Sequence, residues 1–254
     1  MKKIIKQILI KVLQPFNNRL GFVSNDIIKN EFLKDNLLDN LFLNLKKIGF
    51  QINHIVDVGA NTGTWTRKIM DYYPNAYFTL IEPQIKLRDL LLRVSNGNKK
   101  IALHHVGAGS QEGTFLFTLH DRDDSCSFNI TTDDAKRLGY TQIEIPVKTL
   151  NNLLKTNDWP IPELIKIDAE GLDIEVLKGA SYYFGKTEIF MVEVGIFIKG
   201  FENDFLKMIN FMNNVGYTLF DISDLNRPFN LKVLWLAELV FVRKDGVINN
   251  YKIN

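Results

Sequence analysis

Four acidic residues and one glycine turn carry most of the chemistry that this sequence can perform. Asp57, Glu82, Asp168 and Glu170 each stand near the end of an apolar, strand-like run, in I-V-D-V, T-L-I-E and K-I-D-A-E. A carboxylate at a strand tip can accept hydrogen bonds from ligand hydroxyls, face a cation, or take a proton from an attacking group. After Asp57 comes G-A-N-T-G, residues 59–63, in which Gly59 and Gly63 let a ligand approach the backbone at the positive end of the next helix. Ala60, Asn61 and Thr62 complete the turn. Glu82 follows about 20 residues later, the offset at which a second-strand carboxylate accepts the two vicinal hydroxyls of a ribose. Together they indicate a nucleoside ligand.

A hydroxyl that attacks in such a crevice must lose its proton, and a general base contributes about 10²–10⁴-fold. Asp168 has the best position for that work, followed by Glu170, whereas His105 and His120 have the more suitable ordinary pKa. Each also has a plainer reading: Asp168 as a cofactor ligand, Glu170 as a turn former, and a strand histidine as a structural residue. Asp57, buried at a strand end, needs a partner of its own. Asp168, Glu170, Asp173 and Glu193 could supply oxygens to a divalent cation. None of the four histidines has zinc spacing, and carboxylates at helix starts are favoured without any ion, so no metal is expected.

These residues need a frame to hold them. Strand patterns at 54–58, 76–81, 101–106, 164–167 and 189–194 alternate with helical ones at 64–73, 84–94, 173–177 and 203–215. That alternation predicts right-handed crossovers and a doubly wound, parallel α/β sheet. Two further strands are expected at 217–220 and 239–242. Around 110–148 the pattern changes: T-F-L-F-T-L-H and Q-I-E-I-P-V read as an inserted ribbon, with D-R-D-D-S-C-S as a loop between them. Long loops near the open end of a sheet tend to hold substrates, and residues 119–139 and 197–201 are where acceptor shape is expected to be encoded.

The chain divides into an N-terminal helical appendage, 1–48, and an α/β domain, 49–254. Residues 2–14 place Ile4, Ile5, Ile8, Leu9, Val12 and Leu13 on one face of a basic amphipathic helix. Such a face packs on the domain or on a second subunit of a homodimer, or lies peripherally on an anionic membrane. It is too short and too charged to span a bilayer, which needs roughly 20 apolar residues, and no cleavage site follows it. A second helix is expected at 26–48, with Gly49 as its stop.

With 46% hydrophobic and 24% charged residues among 254, the chain is expected to fold as an ordinary globular protein. A net charge of +2 without a dense lysine or arginine run excludes a nucleic-acid partner from the expectations. The single cysteine, Cys126, cannot form an intramolecular disulfide, which points to a reducing, cytoplasmic setting. A dinucleotide-type oxidoreductase is weakened because Asn61 and Thr64 stand where its second and third glycines belong. A non-catalytic binding module on the same fold is the other alternative.

Asp-x-Gly-x-x-x-Gly with a distal acid resembles the cofactor site of class I S-adenosylmethionine-dependent methyltransferases. Adding I-E-P, V-G-A-G-S, D-D-S-C-S-F-N and above all K-I-D-A-E-G-L-D-I-E-V-L-K-G-A, the chain from about 49 to 242 resembles the FkbM family of methyltransferases. The resemblance implies a Rossmann-like, mostly parallel sheet with an antiparallel last strand, and S-adenosyl-L-methionine as cofactor. It implies that Gly59, Asn61, Thr62 and Gly63 contact the methionine part, that Glu82 holds the ribose, and that Gly107 and Ala108 lie beside the adenine, with Asp57, Ala60 and Asp168 in the same set. Methylation of a hydroxyl on a saccharide or other small, glycosylated acceptor is implied as well. The Asn- or Asp-Pro-Pro-aromatic signature for exocyclic base nitrogens is absent after the fourth strand, which favours oxygen. The family loop often carries two adjacent serines, whereas here Cys126 separates Ser125 from Ser127.

Overall fold

The computed structural model describes residues 36–120, 126–155, 158–197, 203–227 and 233–251. The expected helix 2–14, the linker after it, the first part of the 26–48 helix, Ser125 and residues 198–201 lie outside the described residues. By its contacts the chain forms two units, Met1–Asn40 and Leu41–Asn254. Helix α1, Leu37–Lys47, crosses that boundary, and within the second unit it buries Leu41, Phe42 and Leu45. The Phe42 ring stacks on Tyr72 at 5.5 Å between centroids and meets Trp65 edge-on. No helix among the described residues is long and apolar enough to cross a membrane.

His54–Val58 (β1) is buried at all five positions, as a central parallel strand covered on both faces must be. It pairs in parallel with Tyr77–Ile81 (β2) on one side and Leu164–Ile167 (β7) on the other. Ile101–His104 (β3) extends the sheet beyond β2. Beyond β7 come Ile189–Gly195 (β8), then Leu236–Arg243 (β10) and Tyr217–Asn226 (β9) at the edge. The order is β3-β2-β1-β7-β8-β10-β9, with β10 antiparallel to both neighbours. This is the expected doubly wound, mostly parallel sheet with an antiparallel last strand. Helices α2 (Thr64–Met70), α3 (Arg88–Ser95), α6 (Asp173–Gly179) and α7 (Phe205–Asn214) connect the strands. The largest core gathers Val56, Ile165, Val192 and Leu239 from four strands with Val176, Leu177, Met208 and Met212 from α6 and α7.

The inserted ribbon is a second sheet. Gly113–Leu119 (β5) and Thr141–Lys148 (β6) pair antiparallel, and Gly107–Ala108 (β4) joins β6 in parallel. The strand expected over 101–106 therefore ends at His104, because the chain leaves the main sheet to pair with the insertion. Residues 119–139 are less loop-like than expected: Thr132–Leu138 forms α4, with the Thr131 hydroxyl accepting from the Asp134 amide at 3.2 Å and Gly139 closing it in a left-handed conformation. Its only buried residue is Ala135, so no apolar periodicity betrayed it. A short α5, Leu150–Leu153, was likewise not anticipated. The helix expected at 84–94 begins as a 3₁₀ turn, Ile85–Leu87, and becomes α-helical at Arg88. The delay follows from Gln84, which stays extended with its amide donating to Glu82 Oε1 at 2.9 Å.

Candidate functional site

The strand tips of β1, β2 and β7 meet at one cleft, at the carboxyl ends of the strands where open α/β sheets bind ligands. Gly59 and Asn61 from the turn, Glu82 after β2, Gly107 and Ala108, and Asp168 and Glu170 after β7 all line it. Asp57, Ala60, Thr62, Gly63 and His105 are not in its wall. Opposite the strand tips stand apolar side chains from the insertion, Phe117, Cys126 and Phe128, together with Val106. Sequence patterns gave no sign of the two phenylalanines, since only pairing of β5 with β6 and the bridge from Thr118 to Ser127 bring them over the cleft. Their rings lie 4.7 Å apart.

The glycine turn is shaped by packing as much as by ligand approach. Gly59 has φ +76°, and a Cβ there would overlap the Asp168 carbonyl oxygen, so β1 and β7 can close only over glycine at this point. At Gly63, φ +72°, a Cβ would lie 2.7 Å from Val94 Cγ2. That glycine serves contact with α3. Asn61, also left-handed at φ +48°, has its side-chain oxygen accepting from the Thr62 amide at 2.7 Å.

Glu82 is buried and binds the turn before it binds anything else. Its Oε2 accepts from the Asn61 amide at 2.8 Å and its Oε1 from the Gln84 amide at 2.9 Å. Burial raises its pKa above the ordinary carboxylate range, and these two amides pull the other way. The Gln84 side chain adds a third hydrogen bond, and a carboxylate has about four acceptor sites in all.

Asp57 faces inward from β1. Its Oδ2 accepts from the Thr66 hydroxyl at 2.5 Å, and its Oδ1 lies 3.8 Å from the Lys166 ammonium. Burial raises its pKa, with Lys166 and Thr66 opposing. Its bond to Thr66 ties α2 to the sheet. Lys166, its register partner on β7, also donates to Asp168 Oδ2 at 3.0 Å. Burial alone would lower the Lys166 pKa, but Asp168, Asp57 and Glu238 together raise it.

After β7 the chain turns through two successive left-handed residues, Glu170 at φ +50° and Gly171 at φ +93°. Asp173 holds that turn: its carboxylate accepts from the amides of Ala169 at 2.9 Å and Gly171 at 3.2 Å, and from Asn203 Nδ2 at 2.7 Å. Burial pushes the Asp173 pKa up to about 7. The Glu170 carbonyl accepts from Asn129 Nδ2 at 2.6 Å and so pins the insertion to the cleft. Glu193, on β8, is raised to about 9 by burial and by Asp168, Glu170 and Asp173. Among the described residues no group of three or more histidines, cysteines or carboxylates is placed to hold a metal ion. His105 follows β3 with both ring nitrogens buried and without hydrogen-bond partners, and His120 packs its ring on Tyr140 at 4.2 Å.

Glu238, the register partner of Glu193 on β10, makes the electrostatics testable. Burial raises its pKa from 4.5 to about 6, against the pull of Lys166 and the Ser223 hydroxyl, which donates to Oε2 at 2.6 Å. A raised carboxyl gives stability that is complete below about 4.5 and lost as pH climbs through about 6. Glu238→Gln keeps an oxygen for Ser223 and does not titrate. Between pH 4.5 and 7 the variant is expected to lose about 2 kcal/mol less stability than the parent. Urea unfolding across that range measures it, and parallel pH profiles would contradict it.

The donor set suits a nucleoside with a cationic tail: a diol-accepting carboxylate at Glu82, apolar faces at Val106, Ala108 and Phe128, and a carboxylate at Asp168. Comparison with known proteins agrees. The family model described as the methyltransferase FkbM domain matches residues 57–219. Among solved structures, the N-methyltransferase NodS from Bradyrhizobium japonicum WM9 is similar at 9% identity, covering 82% of this chain and 96% of that one with a TM-score of 0.46. The fibrillarin pre-rRNA processing protein of Methanococcus jannaschii is similar at 15% identity, covering 76% and 67% with a TM-score of 0.47. No curated protein matches significantly.

Proposed function

The chain belongs to the methyltransferase FkbM family, with S-adenosylmethionine as its methyl donor, and from that premise we propose that it methylates a hydroxyl group of a carbohydrate or glycosylated acceptor. The observation that carries this reading is the pair of carboxylates, Asp168 and Glu170, in the wall of the same cleft as the Gly59 turn and Glu82. Hydroxyls are the natural donors to such a pair. Membership of this family removes the nicotinamide-dependent alternative.

S-adenosylmethionine supplies an electrophilic methyl group carried on a sulfonium. Glu82 would hold the ribose diol, the Gly59–Asn61 backbone would pass along the methionine chain, and Phe128 with Ala108 would flank the adenine. Asp168 and Glu170 would orient the acceptor hydroxyl, and one of them would take its proton as the methyl carbon leaves sulfur for the oxygen, with S-adenosylhomocysteine as the leaving group. Orientation alone can lower the barrier by about 7–11 kcal/mol in favourable cases. The adjoining cleft of about 1040 Å³, which shares Ala108, Phe128 and Leu172 and adds Thr114, Thr131 and Thr132, offers hydroxyl-bearing walls for a bulky acceptor.

The test is release of S-adenosylhomocysteine with a panel of free, nucleotide-linked and glycan-linked sugars, each beside its deoxy or O-methylated analogue. Turnover lost with one blocked hydroxyl, and lowered about 10²-fold or more by Asp168→Asn, is the expected result. Transfer to amines but to none of the hydroxyls would overturn it. Cofactor binding with no transfer to any acceptor would favour the non-catalytic module.

A further inference from the structure

Lys166 is a cation buried in the sheet, with its side chain 6% exposed and its ammonium 5.7 Å from the centre of the Trp65 ring. A lysine is rarely buried unless paired, and two explanations compete for this one. It could merely neutralise Asp57, or it could act on the cleft through Asp168. The distances separate them. Lys166 Nζ lies 3.0 Å from Asp168 Oδ2 and 3.8 Å from Asp57 Oδ1, so its hydrogen bond goes to the carboxylate that lines the cleft. Asp57 has the Thr66 hydroxyl on its Oδ2, while its buried Oδ1 has no hydrogen bond and meets the ammonium only as a longer ion pair. The Asp168 side chain is 33% exposed, and without an anchor a short carboxylate at a strand tip would turn freely.

We propose that Lys166 is the positioning residue of the donor site: anchored beside Asp57, it holds Asp168 by Oδ2 and so presents Oδ1 to the cleft in one direction. The proposal rests on Asp168 belonging to that site. The other charged groups near the ammonium are Glu238 on β10 and, through Asp168, Glu193 on β8, Glu170 and Asp173. None of them makes a hydrogen bond to Lys166 among the described residues. Lys166 touches the cleft only through Asp168, because it is absent from the wall that Asp168 lines.

The test is a double-mutant cycle read by calorimetric binding of S-adenosylmethionine and S-adenosylhomocysteine to wild type, Lys166→Met, Asp168→Ala and the double variant. Lys166→Met is expected to weaken binding about tenfold to a hundredfold, the worth of one charge-assisted hydrogen bond. On top of Asp168→Ala, which leaves no side-chain oxygen for the ammonium, it is expected to cost less than about twofold, since a residue that acts through another has nothing left to position. Effects that multiply, or a Lys166→Met protein that binds like wild type, would overturn the proposal. Folding is followed by circular dichroism, and if Lys166→Met does not fold, the cycle is run in an Asp57→Asn background, which removes the charge left unpaired. Wild type that binds neither ligand would instead refute the donor site itself.

Discussion

Glu82→Ala is expected to abolish the thermal response to cofactor. Ligand at about 100 times its dissociation constant stabilises by roughly 2.7 kcal/mol, which moves the midpoint of a chain this size by about 5–10 °C. In the variant the same concentration of S-adenosylhomocysteine should move it by about 1 °C or less. Two effects combine. With Glu82 as the proposed ribose holder, the ribose loses two hydrogen bonds to a charged acceptor, each worth about 1.5–3 kcal/mol, so the dissociation constant rises at least about a hundredfold. The Asn61 and Gln84 amides also lose the carboxylate that accepts from them, which loosens a turn that Asn61 holds at a left-handed φ. Glu82→Gln keeps one acceptor oxygen and should fall between the two. A full shift in the alanine variant would mean that the ribose lies elsewhere.

Gly59→Ala is expected to produce the largest loss of stability of any methyl-sized change in the cleft. The left-handed backbone at φ +76° costs an alanine about 1–2 kcal/mol. The added methyl would overlap the Asp168 carbonyl oxygen, a backbone atom that cannot rotate away. β1 and β7 must then separate where Asp168 donates its amide to the Val58 carbonyl at 3.1 Å, a strain comparable to overpacking at about 1–3 kcal/mol. The midpoint should drop by roughly 5–15 °C, and cofactor binding should weaken with it, because Asp168 moves. Gly63→Ala should be milder, since it meets the side chain of Val94 and not the main chain. An equal or smaller drop at Gly59, measured by thermal unfolding, would contradict this account of the turn.

The amino-acid sequence determined the frame and the tips of the central strands. Five buried residues at His54–Val58 and four at Leu164–Ile167 read as short β-type runs interrupted only by His54, Asp57 and Lys166, and their order with the intervening helices is a local, chain-ordered property that periodicity reports directly. Gly59, Glu82, Asp168 and Glu170 were legible for the same reason: each sits where a strand pattern stops, and strand ends are where an open sheet gathers ligand groups. Family membership followed from the motif K-I-D-A-E-G-L-D-I-E-V-L-K-G-A, a contiguous stretch.

What only the tertiary structure decided is which way these groups point and what shares their space. Asp57 and Gly63 lie in the same motif as Gly59, yet Asp57 turns inward to Thr66 and Lys166 and Gly63 faces α3. Spacing along the chain cannot tell a ligand-facing residue from its inward neighbour, because that depends on the face of the sheet and on the partners 109 positions away, as Lys166 is from Asp57. The aromatic wall of Phe117 and Phe128 arises from long-range pairing of β5 with β6, and the turn that offers Glu170 to the cleft is held by Asp173 from within α6. Burial supplied the last part. Lys166 reads as an ordinary charged residue until β1 and β8 flank its strand and leave it with Asp57 and Glu238 in the sheet and Asp168 in the cleft.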